Sequence, residues 1–117
     1  MSADSLESLK LRLREFAAER DWDQFHSPKN FASALIVEAA ELLEHFQWLT
    51  QEQSRHLDPE TQREVALEMA DVLIYLIRLA DKLDIDLIAS AREKIALNEK
   101  KYPVEKSRGL ATKYNRL

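Results

Sequence analysis

The chain has no cysteine and, in 117 residues, a single glycine, Gly109. Without thiols, disulfides and thiolate metal sites are excluded. Without glycine clusters there is no Gly-rich loop to cradle a phosphate. Only three prolines accompany that glycine, so compact turns are scarce and long helices are favoured. Charges interrupt every apolar run before ~20 clean residues, so no transmembrane span is expected. The opening MSADSLESLK lacks the basic-then-apolar layout of a signal peptide, which makes the cytoplasm the expected compartment. A hydrophobic share of 45% argues against disorder. The length suits one domain over residues 1–117, with an irregular basic tail from about residue 104.

Charge of one sign is scarce in each part of the chain. The net charge of -4 conceals nine Lys and Arg against 18 Asp and Glu in residues 1–91, and eight against three in residues 92–117. An acidic body with a basic end suits a metal at one place and phosphates near another. On charge alone a solvated helix face plus a basic tail is the plainer account. Nucleic acid is not expected as a partner, because the acidic body repels it.

The stretch that organises the chain is VALEMADVLIYLIRLADKL, Val65–Leu83, apolar nearly all round in its first part. A helix apolar on every face is a buried helix. Glu68 and Asp71 nevertheless stand inside it, three residues apart and so on one side. Residues 31–49, FASALIVEAAELLEHFQWL, repeat the pattern with Glu38 and Glu41. Buried carboxylates are costly unless paired or bound to a metal. Two such helices packed together would set four carboxylates around one point. Helices this apolar exceed what a small monomer can bury, so self-association is expected, as a homodimer or a dimer of dimers.

In chain order, a first amphipathic helix is predicted from Leu6 to about Arg20, capped by Asp4 or Ser5, with Leu6, Leu9, Leu13, Phe16 and Ala17 as its stripe. Asp21–Asn30 breaks the pattern. Trp22, Phe25 and His26 there suit either a stacking surface for a base or anchors for the loop, and spacing alone favours the anchors. Ser27-Pro28 opens a second helix to about Leu49 that also carries Glu44, an optional further ligand, and ends on Trp48. Residues 50–58 read as a loop, and its His56 as solvated. Asp58-Pro59 opens a third helix to Leu83; a fourth runs from about Leu87 to Tyr102, before Pro103. The fold class is therefore all-α, a protomer of four-helix-bundle type.

Each acid pair is weak evidence taken singly; embedded in core-like helices they gain weight. All-oxygen ligands select a hard cation, Mg²⁺ or its substitute Mn²⁺, over zinc. A di-iron bundle needs Glu-x-x-His on two helices. Here Glu41 and Glu44 follow Glu38 and Glu41 at that spacing, and His45 follows Glu41 by four, so di-iron is disfavoured. Phosphates would fall to metal ions and to side chains such as Lys94, Lys100, Lys101 or Arg108.

Glu38-Ala-Ala-Glu41 followed by Glu68-Met-Ala-Asp71 resembles the signature of the MazG-like all-α nucleoside triphosphate pyrophosphohydrolases. FAAERDWDQFHSPKN (16–30), ELLEHFQW (41–48), DVLIYL (71–76), the Lys94–Pro103 pattern and Lys113-Tyr114 are similar to the dCTP pyrophosphatase branch. The resemblance implies Mg²⁺ on Glu38, Glu41, Glu68 and Asp71, and attack of water on the α-phosphorus with Glu41 as the favoured proton acceptor. It implies a base pocket of Trp22, His26 and Trp48, with Phe25 and Phe46 as lesser candidates, and nucleotide contacts from Lys94, Asn98 and Tyr102. Those last three otherwise read as packing, capping or surface residues. Three alternatives stand beside it: the same chemistry with broad or different base choice, a non-catalytic helical module with a structural cation, and a basic-tailed nucleic-acid binder.

Overall fold

Local capping chemistry sets where each helix begins. The computed structural model describes residues 5–116. Helix α1 (Leu6–Glu19) starts on Ser5, whose Oγ accepts the Ser8 N–H at 3.0 Å while Ser8 Oγ accepts the Ser5 N–H at 3.2 Å. Asp4, the other cap candidate, lies outside the described residues. After a 3-10 turn (Asp23–Phe25), Ser27 accepts the Asn30 N–H at 3.1 Å and Pro28 takes the first position of α2 (Pro28–Glu44). Asp58 caps α4 (Pro59–Lys82) through the Thr61 N–H at 2.8 Å, and Asp86 caps α5 (Leu87–Lys101) through the Ala89 N–H at 3.0 Å.

Two expected stretches differ. Helix α2 stops at Glu44, five residues short of Leu49, and its hydrogen bonding tightens to three-residue spacing at His45 and Phe46. The competitor is Thr50, which forms a reciprocal capping box with Gln53 and starts the one-turn helix α3 (Gln51–Ser54) inside the expected loop. The basic tail is likewise not wholly irregular: it holds a helical turn, α6 (Val104–Ser107), and a 3-10 turn at Tyr114–Arg116.

The chain divides after Asp84 into two compact units. In the first, α2 packs along α4 and α1 packs on α4. Its core is Ala17, Phe31, Val65, Ile77 and Ala80. Helices α2 and α4 are not buried on every face in the single chain. Ile36 is 67% exposed, and Val37, Leu43, Leu67 and Met69 are also exposed. Helix α4 packs against α1 and α2, α2 packs against α4, and the remaining apolar residues of both face outward. The second unit holds α5 and α6, with Ile88, Ile95 and Leu97 exposed. Among the described residues no helix is long and apolar enough to cross a membrane.

The first unit ends on Asp84, held at φ 54°. Its N–H donates to Asp81 O at 3.3 Å, which closes α4. Glycine adopts this left-handed conformation at no steric cost. Asp84→Gly is expected to raise stability by about 0.5 kcal/mol and the β-branched Asp84→Val to lower it by more than about 1 kcal/mol. Thermal melts of the two variants check the opposite signs.

Candidate metal centre

Helix α2 carries Glu38 and Glu41 on the side that packs against α4, and α4 answers with Glu68. Each of the three offers an oxygen within 4.8 Å of the others. All three side chains are half-buried. Oε2 of Glu38 and Oε2 of Glu68 are fully enclosed and meet no hydrogen-bond donor. Buried acceptors without a donor are rare in folded proteins, and a bound cation is one of the few things that satisfies them. The residues present therefore fit a hard divalent metal ion.

Electrostatics mark the same point. Burial first, then the close approach of Glu41, then Glu68 and Asp71, push the Glu38 carboxyl from 4.5 up to about 7. Asp71 stands outside the three-residue cluster, yet its charge reaches both Glu38 and Tyr75. Four carboxylates converging from two helices reduce to three at one point with the fourth close by. Glu44 is exposed at the end of α2 and is not part of the cluster.

The other expected site residues are distributed. Trp22 stacks edge-on against Phe16 at 5.7 Å. Phe25 is exposed, and its carbonyl accepts from the Asn30 side chain at 2.8 Å. His26 is half-buried, its ring 4.7 Å from that of Phe31. Phe46 is half-buried in the turn after α2, and Trp48 in that same turn is 87% exposed. Lys94 and Asn98 are exposed on α5 of the second unit, where the Tyr102 N–H closes the helix on Asn98 O at 2.8 Å.

Two residues beside the expected site residues were not singled out from the sequence. Tyr75 lies 6.3 Å ring to ring from Phe31. Burial first, and then Glu38, Asp71 and Glu41, raise its hydroxyl above the usual phenol value. Its place four residues after Asp71 on one helix was the available signal. Arg78 is buried beside His26 with Asp23 as a partner, and no spacing rule connects it to them.

Fold and site together define an all-helical protein with a carboxylate cluster that can hold a hard cation. Residues 34–117 match the MazG-like family, and the chain belongs to that family. It is 42% identical to dCTP pyrophosphatase 1 of Bos taurus, over 99% of this chain and 70% of that one. With dCTP pyrophosphatase 1 of Mus musculus the identity is 43%, over 97% and 68%. Among solved structures it is similar to a pyrophosphatase from Archaeoglobus fulgidus, with a TM-score of 0.79 and 43% identity, covering 83% of this chain and 91% of that one.

Proposed function

We propose that the chain is a Mg²⁺-dependent nucleoside triphosphate pyrophosphohydrolase that converts dCTP, or a modified dCTP, to the monophosphate and pyrophosphate. The observation that carries the reading is the partnerless pair of buried oxygens on Glu38 and Glu68 beside Glu41, in a chain 42% identical to a dCTP pyrophosphatase along nearly its whole length. Glu38, Glu41, Glu68 and Asp71 hold the ion, with Mn²⁺ as a workable substitute. When bound, a divalent ion supplies Lewis acidity toward the phosphate oxygens and lowers the pKa of water. Glu41 accepts the proton of a water whose oxygen bonds to the α-phosphorus, and the bond from that phosphorus to the bridging oxygen breaks, releasing pyrophosphate. Trp22, His26 and Trp48 face the base, with Phe25 and Phe46 flanking; Lys94, Asn98 and Tyr102 contact the phosphates, sugar or base of a nucleotide, whether in their own or a neighbouring subunit.

Residues 1–117 act as one domain, a reading supported by a family match that runs unbroken across Asp84. The outward apolar side chains of α2 and α4, Ile36, Val37, Leu43, Leu67 and Met69, support self-association as a homodimer or homotetramer. The enzyme works on the cytoplasmic nucleotide pool and removes unwanted nucleotides from it, with no role for nucleic acid or membrane.

Product analysis of the purified protein with dCTP tests this directly. Magnesium-dependent dCMP and pyrophosphate, abolished by EDTA, is the expected outcome. Formation of dCDP and orthophosphate would place attack at the terminal phosphorus and sink the proposed chemistry. Absence of turnover with dCTP but turnover of other nucleotides would replace the substrate and leave the reaction.

A further inference from the structure

Among the described residues of the first unit, Arg78 is the buried charged one, 4% exposed. A guanidinium in such a place is costly unless its donors are met. Its Nη2 donates to Asp23 Oδ1 at 3.3 Å and faces His26 Nδ1 at 3.3 Å, while Nη1 lies 3.5 Å from Asp81 Oδ2. The guanidinium carbon sits 5.3 Å from the centre of the Phe31 ring, against which His26 also packs. Both acids are shared. Arg14 grips Asp81, with Nε at 2.7 Å, and Lys82 Nζ grips Asp23 at 2.6 Å. None of these residues belongs to the carboxylate cluster.

A guanidinium carries donors only and does not lose its proton in proteins. A ring nitrogen facing it at hydrogen-bond distance must therefore accept. Nδ1 of His26 then holds a lone pair, and the proton of the ring sits on Nε2. We infer that Arg78 is a positioning residue: it pins the loop of Trp22 and His26 to α4 and fixes His26 as the neutral ring with Nε2–H, a donor for an acceptor atom on the nucleotide base. Arg78 and Lys82 both disfavour an imidazolium, so the residue suits a neutral carbonyl or ring nitrogen of a base better than a phosphate. Burial, before either cation, acts in the same direction on His26, and Asp23 opposes them. The inference rests on the reading of His26 as a base-pocket residue.

The test is a long-range proton–nitrogen NMR spectrum of ¹⁵N-labelled full chain at neutral pH, with steady-state kinetics on dCTP. The wild type is expected to show a bare Nδ1 and a protonated Nε2 on His26. Arg78→Met is expected to mix the tautomers and to raise KM about tenfold with a smaller change in kcat. Arg78→Lys, which keeps a donor-only cation, is expected to restore the tautomer and part of the KM. A protonated Nδ1 in the wild type overturns the inference without reference to any variant. A tautomer unchanged in Arg78→Met, with that variant folded, overturns it as well. If the tautomer responds to Arg78 but neither Arg78→Met nor His26→Phe moves KM, the hold of Arg78 on His26 stands and the base-pocket reading fails.

Discussion

Glu38→Gln and Glu68→Gln are each expected to cut kcat for dCTP by about a thousandfold or more, with helical content retained and, in EDTA, melting temperature retained. Each substitution keeps the shape of the side chain and removes one anionic oxygen that the fold encloses without a donor. A glutamine amide at position 38 would also give Glu41 a donor and relieve the repulsion that now raises Glu38. The metal-free variants should therefore be no less stable than the wild type. Glu44→Gln serves as the control, because Glu44 lies exposed at the end of α2 outside the cluster. It is expected to leave kcat within about twofold of wild type, the ordinary effect of a surface change. A structural cation site is told apart by the kinetics: no turnover would exist to lose, and only the melting temperature in Mg²⁺ would respond to the substitution. Full turnover in either glutamine variant would remove that acid from the reaction.

The acid pairs were legible because their signal is local. Two carboxylates three residues apart in an apolar helix are conspicuous in a linear reading, and the cap-then-proline pairs Ser27-Pro28 and Asp58-Pro59 mark helix starts that the structure keeps. The end of α2 was not legible, because His45–Leu49 continue a helix-compatible apolar pattern and lose only to a capping box centred on Thr50. The outward apolar residues of α2 and α4 agree with the expectation that helices this apolar exceed what a small monomer can bury, while which of their sides stays open depends on packing that no local pattern reports. Arg78 marks the limit most clearly. Its partners lie 55 and 52 residues away at Asp23 and His26, and only tertiary packing brings them together.

The second large effect is a pH dependence of stability that reverses with metal. Glu38, pushed from 4.5 up to about 7, keeps a proton in the folded chain over a window in which the unfolded chain has lost it. Raising pH through that window strips the folded state of its extra proton and lowers stability. Asp81 and Asp23, held down chiefly by Arg14 and Lys82, work in a separate window: their contributions are lost only as pH falls below 3.8. His26 works against Glu38 up to its ordinary value of 6.5, since its neutral form is the one the fold prefers. The informative quantity is therefore the difference in melting temperature between wild type and Glu38→Gln. In EDTA that difference is expected to fall from pH 5 to pH 8. In Mg²⁺ it is expected to rise over the same range, because the ion needs the deprotonated ligands and binds only the folded site. At pH 8 the wild type should gain at least about 4 °C from Mg²⁺, the shift that about 1 kcal/mol produces in a domain of this size, and Glu38→Gln should gain much less. A difference in EDTA that stays flat or climbs would show that Glu38 is already ionised in the metal-free fold, and the crowding of carboxylates at the α2–α4 contact would then have to be relieved by a cation other than the catalytic metal.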